Sequence, residues 1–240
     1  MLTTVTITGA DDRVDPWELA RLSEEFPHVE WGVLISTGRA GTPRYPSTRW
    51  IRRLNEMLRH REMSMSCAAH LCGKVARDLA EGDEHEGAVA EFFLTSSRFD
   101  RAQLNNVAPM STEGFARLAA RLDQEIILQA KSEDALPTAW EHARAVLAAG
   151  GRASVLFDPS GGRGLEPFRW PPPFCYDEVQ MGYAGGIGPD NVEEVVGEIL
   201  MGGPSENFWI DMESGVRDEE DRFDLGRVRA VLERTARFVR

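Results

Sequence analysis

Short runs of apolar residues recur at a regular spacing along the chain, and they alternate with longer segments whose apolar residues lie three or four positions apart. The short runs are typical of buried strands, and the longer segments of amphipathic helices. Leu19, Leu22 and Phe26, for example, have helical spacing. The pattern predicts eight strands, most of them followed by a helix, at residues 3–8, 31–36, 65–71, 101–106, 125–130, 153–158, 180–185 and 208–213.

Two signals mark where helices begin. Asp15 is followed by Pro16 and Glu18, which is a capping-box arrangement with proline at the first helical position. Gly188 and Pro189 in the same way predict the start of a helix after the seventh strand. Both signals fall where the hydrophobic pattern changes from strand to helix, so they support a repeated strand–helix unit.

Eight such units in 240 residues match the size of a (β/α)8 TIM barrel. An open doubly wound sheet of similar length is the alternative. Three prolines at 171–173 follow the sixth strand, and proline cannot occupy a helix interior, so we expect the sixth helix to be short or missing. We predict an α/β protein with a single (β/α)8 barrel domain at 1–240, in which segment 81–100 could add an element before the fourth strand.

The composition narrows the possible partners. With 42% hydrophobic residues the chain can bury a full core. A formal net charge of −12 argues against the clustered basic residues that nucleic acid or an anionic membrane requires, so we expect neither as a partner. No apolar stretch is long enough to span a bilayer. An odd number of cysteines, three, and an N-terminal segment without a signal-peptide pattern lead us to expect a cytoplasmic protein.

The loops after the seventh and eighth strands read YAGGIGPDN and DMESGV. In a TIM barrel the loops that follow the strands form the active face, and phosphate usually binds beside these two. Glycines let peptide N–H groups approach a ligand closely, and the start of a helix attracts anions. We therefore predict that Gly185, Gly186, Ser214 and Gly215 bind the phosphate of a small ligand. The alternative is that the glycines only make tight turns.

Six short motifs resemble, in order and spacing, those of phosphoribosylanthranilate isomerase, the TIM-barrel family of tryptophan biosynthesis. In that family the motifs resemble K-I-C-G at the first strand, S-P-R-Y after the second and Q-L-H-G at the fourth. After the sixth strand come a strand-end aspartate with G-G-T-G and F-D-W, after the seventh A-G-G-L-x-P-x-N-V, and at the eighth D-x-S-S-G-V. The corresponding motifs here are TITG (6–9), TPRY (42–45), QLNN (103–106), FDPSGGRG with FRW (157–164 and 168–170), AGGIGPDNV (184–192) and DMESGV (211–216). The resemblance covers almost the whole chain and implies a barrel of the ribulose-phosphate-binding type.

The resemblance also implies a role for the loop after the sixth strand. Asp158 matches the general acid of the family, and the loop with Gly161, Gly162 and Gly164 lies where the family binds the phosphate end of its substrate. A carboxyl group at the mouth of a barrel, where water is restricted, can act as a proton donor. The alternative is a turn aspartate that accepts a hydrogen bond from Ser160.

Two further residues receive substrate-binding roles by the same resemblance. Arg44 corresponds to the arginine that receives the anthranilate carboxylate, and its planar fork of donors suits a carboxylate. Asp211 matches an aspartate near the substrate, where it could orient an amine or a hydroxyl. Considered without the resemblance, Arg44 would be a solvated loop charge, and Asp211 would brace the turn at Ser214.

The chain departs from the family pattern at position 8, where the family has its catalytic cysteine base and this chain has Thr8 before Gly9. A threonine hydroxyl hardly ionises in water and is a poor base. His70 and Cys72 in AAHLCG share one face of the third strand, and an imidazole titrates near neutrality, so His70 is the better replacement. The alternatives are a structural, hydrogen-bonded His70 and a small buried Cys72.

These observations lead to one leading hypothesis and two alternatives. We expect an isomerase-like enzyme that acts on a phosphorylated sugar or sugar-amine by an Amadori-type aldose–ketose isomerisation, with no cofactor and no metal, as a monomer or a homodimer. The first alternative is a non-catalytic barrel that binds a phosphorylated ligand as a sensor or partner protein. The second is an epimerase or aldolase that uses His70 as its base.

Overall fold

The computed structural model describes residues 1–59, 65–81, 94, 98–105, 111–161, 163–173, 179–203 and 207–239. In it, eight parallel strands form a closed barrel in sequence order, and the last strand pairs with the first. The TIM-barrel prediction is therefore confirmed, and each predicted strand overlaps an observed one. The strands are β1 Leu2–Thr8, β2 Val29–Ile35, β3 Ser66–Cys72, β4 Arg101–Asn105, β5 Glu125–Ala130, β6 Arg152–Phe157, β7 Gln180–Ala184 and β8 Phe208–Met212.

Helices alternate with these strands around the outside of the barrel. In the described part of the chain they are α1 Pro16–Glu25, α2 Thr48–Arg59, α3 Lys74–Glu81, α4 Thr112–Ala119, α5 Leu136–Ala148, α6 Val192–Gly202 and α7 Leu225–Thr235. None of the helices in these described ranges has the length and hydrophobicity that crossing a membrane requires.

The helix start signals in the sequence have clear structural counterparts. Asp15 caps α1, because its Oδ1 atom accepts a hydrogen bond from the Trp17 backbone N–H at 3.1 Å, and Pro16 is the first helical residue. After β7, Pro189 begins a turn and α6 itself starts at Val192. The predicted second start is therefore three residues early, since the chain needs that turn to leave the barrel mouth before it can enter the helix.

The connection between β6 and β7 is the irregular one. Its described residues, 158–161, 163–173 and 179, contain no helix. Residues 162 and 174–178 lie outside the described part of the chain, so a short or missing sixth helix stays a prediction. Most of segment 81–100 lies outside it as well, and the extra element expected there stays a prediction too.

The apolar core divides into two parts. The larger part fills the space between the barrel and its helices, and Trp31, Leu54 and Val231 are among its fully buried members. The smaller part lies inside the barrel and contains Ile127, Leu156, Ala184 and Trp209. Because alternate residues of a strand point to opposite faces, β5, β6, β7 and β8 each contribute to both parts.

Below that small apolar cluster, the barrel interior is polar. Glu30 accepts hydrogen bonds from Arg101, with a Nε–Oε2 distance of 2.8 Å, and from the Thr6 hydroxyl at 2.8 Å. The Arg101 guanidinium also lies over the Trp209 ring, 4.6 Å from its centroid. Burial opposes ionisation of Glu30, but the charge and hydrogen bonds of Arg101 outweigh it and lower the pKa of Glu30. We call Thr6, Glu30, Arg101 and Trp209 the floor of the barrel. The buried charges of Glu30 and Arg101 have their partners within this set.

Candidate active site

A cavity of about 850 Å³ opens at the carboxyl ends of the strands; every strand except β6 contributes to its lining, and Asp158, which follows β6 directly, lines it as well. Ligand sites of TIM barrels lie at this end. The cavity brings together nearly all of the residues singled out in the sequence: Thr8, Arg44, His70, Asp158, Gly161, Gly164, Gly185, Gly186, Asp211, Ser214 and Gly215. Gly162, the remaining one, lies outside the described residues.

Asp158 is buried at the cavity wall and is held by two neutral groups. Its Oδ2 atom accepts a hydrogen bond from Gln129 Nε2 at 2.7 Å, and its Oδ1 atom accepts one from the Ser160 hydroxyl at 2.7 Å. The turn interaction with Ser160 is thus present, and Asp158 faces the cavity as well. The two sequence interpretations are compatible, because the turn fixes the orientation of a carboxyl group that lines the cavity.

Asp211 and Thr8 form a second buried pair across the mouth. The Thr8 hydroxyl donates to Asp211 Oδ1 at 2.9 Å. Burial raises the pKa of Asp211 to about 8, the Thr8 hydrogen bond opposes this shift, and the charges of Asp158, Glu213 and Glu30 add to it. Asp211 therefore holds a proton at neutral pH. Thr8, which donates its own hydrogen, positions Asp211 within the site.

Gly32 is the reason that this pair fits inside the barrel. It lies beside Thr8 in the register of β1 and β2. A Cβ atom at position 32 would overlap Thr8 Oγ1 and lie 2.9 Å from His70 Cε1. The absent side chain therefore gives Thr8 and His70 the space to project into the cavity.

His70 lies deep in the cavity, and its side chain is almost completely buried. Burial lowers the pKa of His70 to about 4, the charge of Glu30 opposes this shift, and that of Arg101 adds to it. The imidazole is consequently neutral near pH 7. Its Nε2 atom has no hydrogen-bond partner among the described residues. The alternative considered from the sequence, a structural histidine that is hydrogen-bonded to its neighbours, therefore does not hold for Nε2.

Cys72 lies above His70 on β3 and also faces the cavity. Burial raises the pKa of its thiol, and Asn105 Nδ2 contacts its Sγ atom at 3.5 Å. The thiol is therefore protonated near neutral pH. Cys72 is half-buried, so it matches the small buried residue expected from the sequence only in part. Among the residues that the structure describes, no group of three potential metal ligands occurs. The absence of a metal in the working protein stays a prediction.

Arg44 reaches the cavity, but acidic groups of the chain itself occupy its guanidinium. Its Nη1 atom is 2.7 Å from Glu213 Oε1, and its Nη2 atom is 2.6 Å from Asp221 Oδ1. Burial opposes the charge on Arg44, but these carboxylates outweigh it and raise its pKa further. The predicted contact between Arg44 and a substrate carboxylate would have to compete with both partners.

The glycines of the predicted phosphate site also have a packing role, since the three loops approach one another closely. A Cβ atom on Gly164 would lie 2.9 Å from Ser214 Cβ, and one on Gly186 would lie 2.6 Å from the Glu166 nitrogen. A Cβ atom on Gly215 would overlap the Ile187 carbonyl oxygen. Tight packing therefore explains why these positions are glycine, and phosphate binding stays a prediction.

Two kinds of residue at this site were not predicted from the sequence. Gln103 and Gln129 line the cavity, and the Oε1 atom of each is buried without a hydrogen-bond partner among the described residues. Glu213 and the buried Arg217 belong to the ion-pair network around Arg44. The glutamines could have been found, because each lies near the end of its strand on the inward-facing register. The pairs of Arg44 with Glu213 and Asp221 join residues far apart in sequence and left no such signal.

This chain is similar to known proteins in its structure, although no sequence-based match was found. No protein-family model matches the chain, and no curated protein sequence matches it either. Among solved structures, phosphoribosylanthranilate isomerase from Thermotoga maritima is similar at 16% identity and a TM-score of 0.63, over 98% of this chain and 99% of that one. TrpF from Jonesia denitrificans is similar at 15% identity and a TM-score of 0.57, over 98% and 97% of the two chains.

A protein of different activity shares the same architecture. A GH18 chitinase from Pseudoalteromonas aurantia is similar at 10% identity and a TM-score of 0.53, over 95% of this chain and 100% of that one. Similarity at these identities establishes the fold, and the same fold hosts many activities. The chain therefore has the (β/α)8 barrel fold of the phosphoribosylanthranilate isomerases along nearly its whole length.

Proposed function

We propose that this protein is an isomerase of the aldose–ketose type that acts on a phosphorylated sugar or sugar-amine. The observation that carries the proposal is the pair of buried carboxyl groups, Asp158 and Asp211, which face one cavity at the carboxyl ends of the strands. Isomerisation moves a proton from one carbon of the sugar to its neighbour, and it requires one group that gives a proton and one that takes it.

The two carboxyl groups divide these tasks. Asp211, with its pKa near 8, carries a proton at neutral pH and donates it to the ring oxygen, so that the sugar ring opens. Asp158, whose two oxygens both accept hydrogen bonds, takes the proton from C2 of the opened sugar. A proton returned to C1 then completes the ketose. The family resemblance implied that Asp158 is the general acid, whereas in this proposal Asp158 is the base and Asp211 the acid. Thr8 orients Asp211.

The ligand phosphate binds, in this proposal, at the loops with Gly161, Gly164, Gly185, Ser214 and Gly215. These loops converge on one side of the same cavity. Their peptide groups supply uncharged donors, which suits an anion in a protein whose net charge is −12. A cytoplasmic location and a monomeric or dimeric state remain predictions that accompany the proposal.

The proposal is tested by following exchange of the sugar C2 hydrogen in D₂O by NMR, with phosphoribosylanthranilate and a panel of sugar phosphates as substrates. Asp158→Asn and Asp211→Asn should each reduce the rate by about 10²-fold or more, the usual contribution of a positioned acid or base. The control is Asp123→Asn, an exposed aspartate just before β5 and so at the opposite end of the barrel. Turnover that survives both cavity variants would contradict the proposal.

The pH profile distinguishes the two possible roles of Asp211. If Asp211 donates a proton, the rate should fall as pH rises through about 8, because the group then loses that proton. If Asp211 instead takes a proton, the rate should rise over the same interval. Thr8→Cys, which restores the residue of the family motif, should raise turnover of phosphoribosylanthranilate if the missing thiol limits that reaction.

His70 supports a second candidate, the epimerase or aldolase. The neutral imidazole and its unpartnered Nε2 atom are the features that such a base requires. Loss of activity in His70→Ala, together with full activity in Thr8→Ala, would favour this candidate. Ligand binding without any turnover, unaffected by Asp158→Asn, would instead favour the non-catalytic barrel.

A further inference from the structure

The guanidinium of Arg44 is bonded on all sides by groups of the same chain. Besides the contacts to Glu213 and Asp221, Nη1 is 3.2 Å from the Ser214 hydroxyl and Nε is 3.3 Å from Asp221 Oδ2. Each of its three nitrogens therefore already contacts an acceptor. A ligand carboxylate could form a two-point contact with Arg44 only by displacing an acceptor that is held in place, at a cost from like-charge repulsion.

The surrounding network fixes this arrangement. The Arg44 backbone N–H donates to Asp11 Oδ2 at 3.0 Å. Arg217, whose side chain is 2% exposed, is 2.8 Å from Asp221 Oδ1 and 3.5 Å from Asp11 Oδ2. Two guanidinium groups thus share three carboxylates, those of Asp11, Glu213 and Asp221. The network carries one negative charge in excess, and Glu213 presents that surplus to the cavity.

The deeper wall of the cavity offers acceptors for the same kind of ligand. Gln103 Nε2 donates to Asn105 Oδ1 at 2.8 Å and Gln129 Nε2 donates to Asp158, so both amide groups have their N–H side engaged. Gln103 Oε1, Gln129 Oε1 and His70 Nε2 are left buried without partners among the described residues. A buried acceptor without a donor is costly, so a ligand that supplies O–H or N–H groups would be bound preferentially once these side chains turn toward it.

We infer that the part of the ligand beyond its phosphate is rich in hydrogen-bond donors and carries no negative charge, as in a polyol or an amine. Glu213, together with Asp221, is the specificity element that excludes a carboxylate from Arg44. This inference rests on the proposed function, because it defines which phosphorylated sugars or sugar-amines the cavity accepts. It concerns binding selectivity, so it can fail or hold separately from catalysis.

The test compares two ligands that differ only in a carboxylate: 1-phenylamino-1-deoxyribulose 5-phosphate and the same compound with an ortho carboxylate. Calorimetry gives the two dissociation constants and their ratio. The wild-type protein should prefer the uncarboxylated compound by about tenfold, the effect of one unfavourable charge contact at a partly exposed site. Glu213→Ser removes the carboxylate from Arg44 Nη1, while Asp221 stays on Nε and Nη2, and should shift the ratio toward the carboxylated compound by a similar factor.

Three further variants isolate the cause. Glu213→Gln keeps the size of the side chain and should shift the ratio in the same direction. Glu220→Ser removes one negative charge from an exposed glutamate that pairs with Arg222, outside the cavity, and should leave the ratio unchanged. Arg44→Met added to Glu213→Ser should abolish the gain. Melting temperatures confirm that each variant is folded.

A wild-type preference for the carboxylated compound would overturn the inference. It is equally overturned if Glu213→Ser fails to gain affinity for that compound, whether or not the protein turns over any substrate. A protein that shows the selectivity shift without turnover would support the inference and contradict the proposed isomerase activity. The two failures are therefore distinguishable.

Discussion

The floor and the mouth of this barrel both bury ionisable groups, but they satisfy them differently. In the floor, Glu30, Arg101 and Thr6 bond one another, and Arg101 stacks on Trp209. At the mouth, Asp211 has one neutral partner, Thr8, and His70 keeps a buried ring nitrogen without a partner among the described residues. The floor pairs opposite charges, whereas Asp211 at the mouth lies near the like charges of Asp158 and Glu213.

This difference shows in the direction of the pKa shifts. The pKa of Glu30 is lowered, because Arg101 favours its charged form, whereas the pKa of Asp211 is raised and that of His70 is lowered toward their neutral forms. A satisfied group stabilises the native state, and an unsatisfied one is available to a ligand. Buried polar groups without hydrogen-bond or charge partners are expected at functional sites. The difference therefore predicts that the floor contributes stability, and it supports the proposal that the chemistry takes place at the mouth.

The largest effect is expected when the floor is broken. Glu30→Ala leaves Arg101 buried without its carboxylate and should reduce the free energy of unfolding by about 3–5 kcal/mol. Urea unfolding at pH 7 measures this change. Glu25→Ala, which breaks an exposed pair with Arg229, is the matched control and should leave the unfolding midpoint nearly unchanged. Similar curves for the two variants would remove the distinction between floor and surface.

A smaller effect is expected from Gly32→Ala, which adds a methyl group between Thr8 and His70. The overlap should cost about 1–3 kcal/mol of stability, as overpacking of a core does, and should displace both side chains at the mouth. Gly197→Ala is the control, because a Cβ atom there meets open space within α6. It should be neutral or slightly stabilising. The same urea titration, combined with the D₂O exchange assay, measures both consequences.

The last test uses pH to titrate Asp211 at the mouth, and its effect is followed one pH unit at a time. Between pH 4 and pH 8 the unfolded chain loses the Asp211 proton while the native state keeps it, so stability should fall with rising pH by about 1.4 kcal/mol per unit. Above pH 8 both states are ionised and this dependence ends. Asp211→Asn lacks the group, so the wild-type minus variant difference should decline across that window. A flat difference, as expected for Asp123→Asn, would show that Asp211 titrates normally.

Much of the fold was predictable from local patterns. The eight apolar runs gave the strands, and the Asp15–Pro16 signal gave the start of α1, because these features depend on neighbours a few residues away. Motif spacing also predicted Asp158 and Asp211 at strand ends, and the third predicted strand contained His70; all three line one cavity. Helix α6 begins three residues after the predicted start at Pro189, because a turn precedes it that the local sequence signal did not indicate.

The interaction partners of the site residues could not be predicted from the sequence. The sequence suggested Arg44 as a free carboxylate receptor, but Glu213 and Asp221 lie 169 and 177 positions away along the chain and occupy it. The Thr8–Asp211 hydrogen bond spans 203 positions. No spacing rule relates such residues, since closure of β1 against β8 alone brings them together.

The sequence by itself determined the order and length of the strands and the identity of the polar residues at their ends. These follow from periodicity and turn chemistry, which act over short distances. Only the closed barrel decided which of those residues would be charged, which neutral and which already paired. Burial and proximity to other charges set those properties, and both arise when strands distant in sequence meet around a common interior.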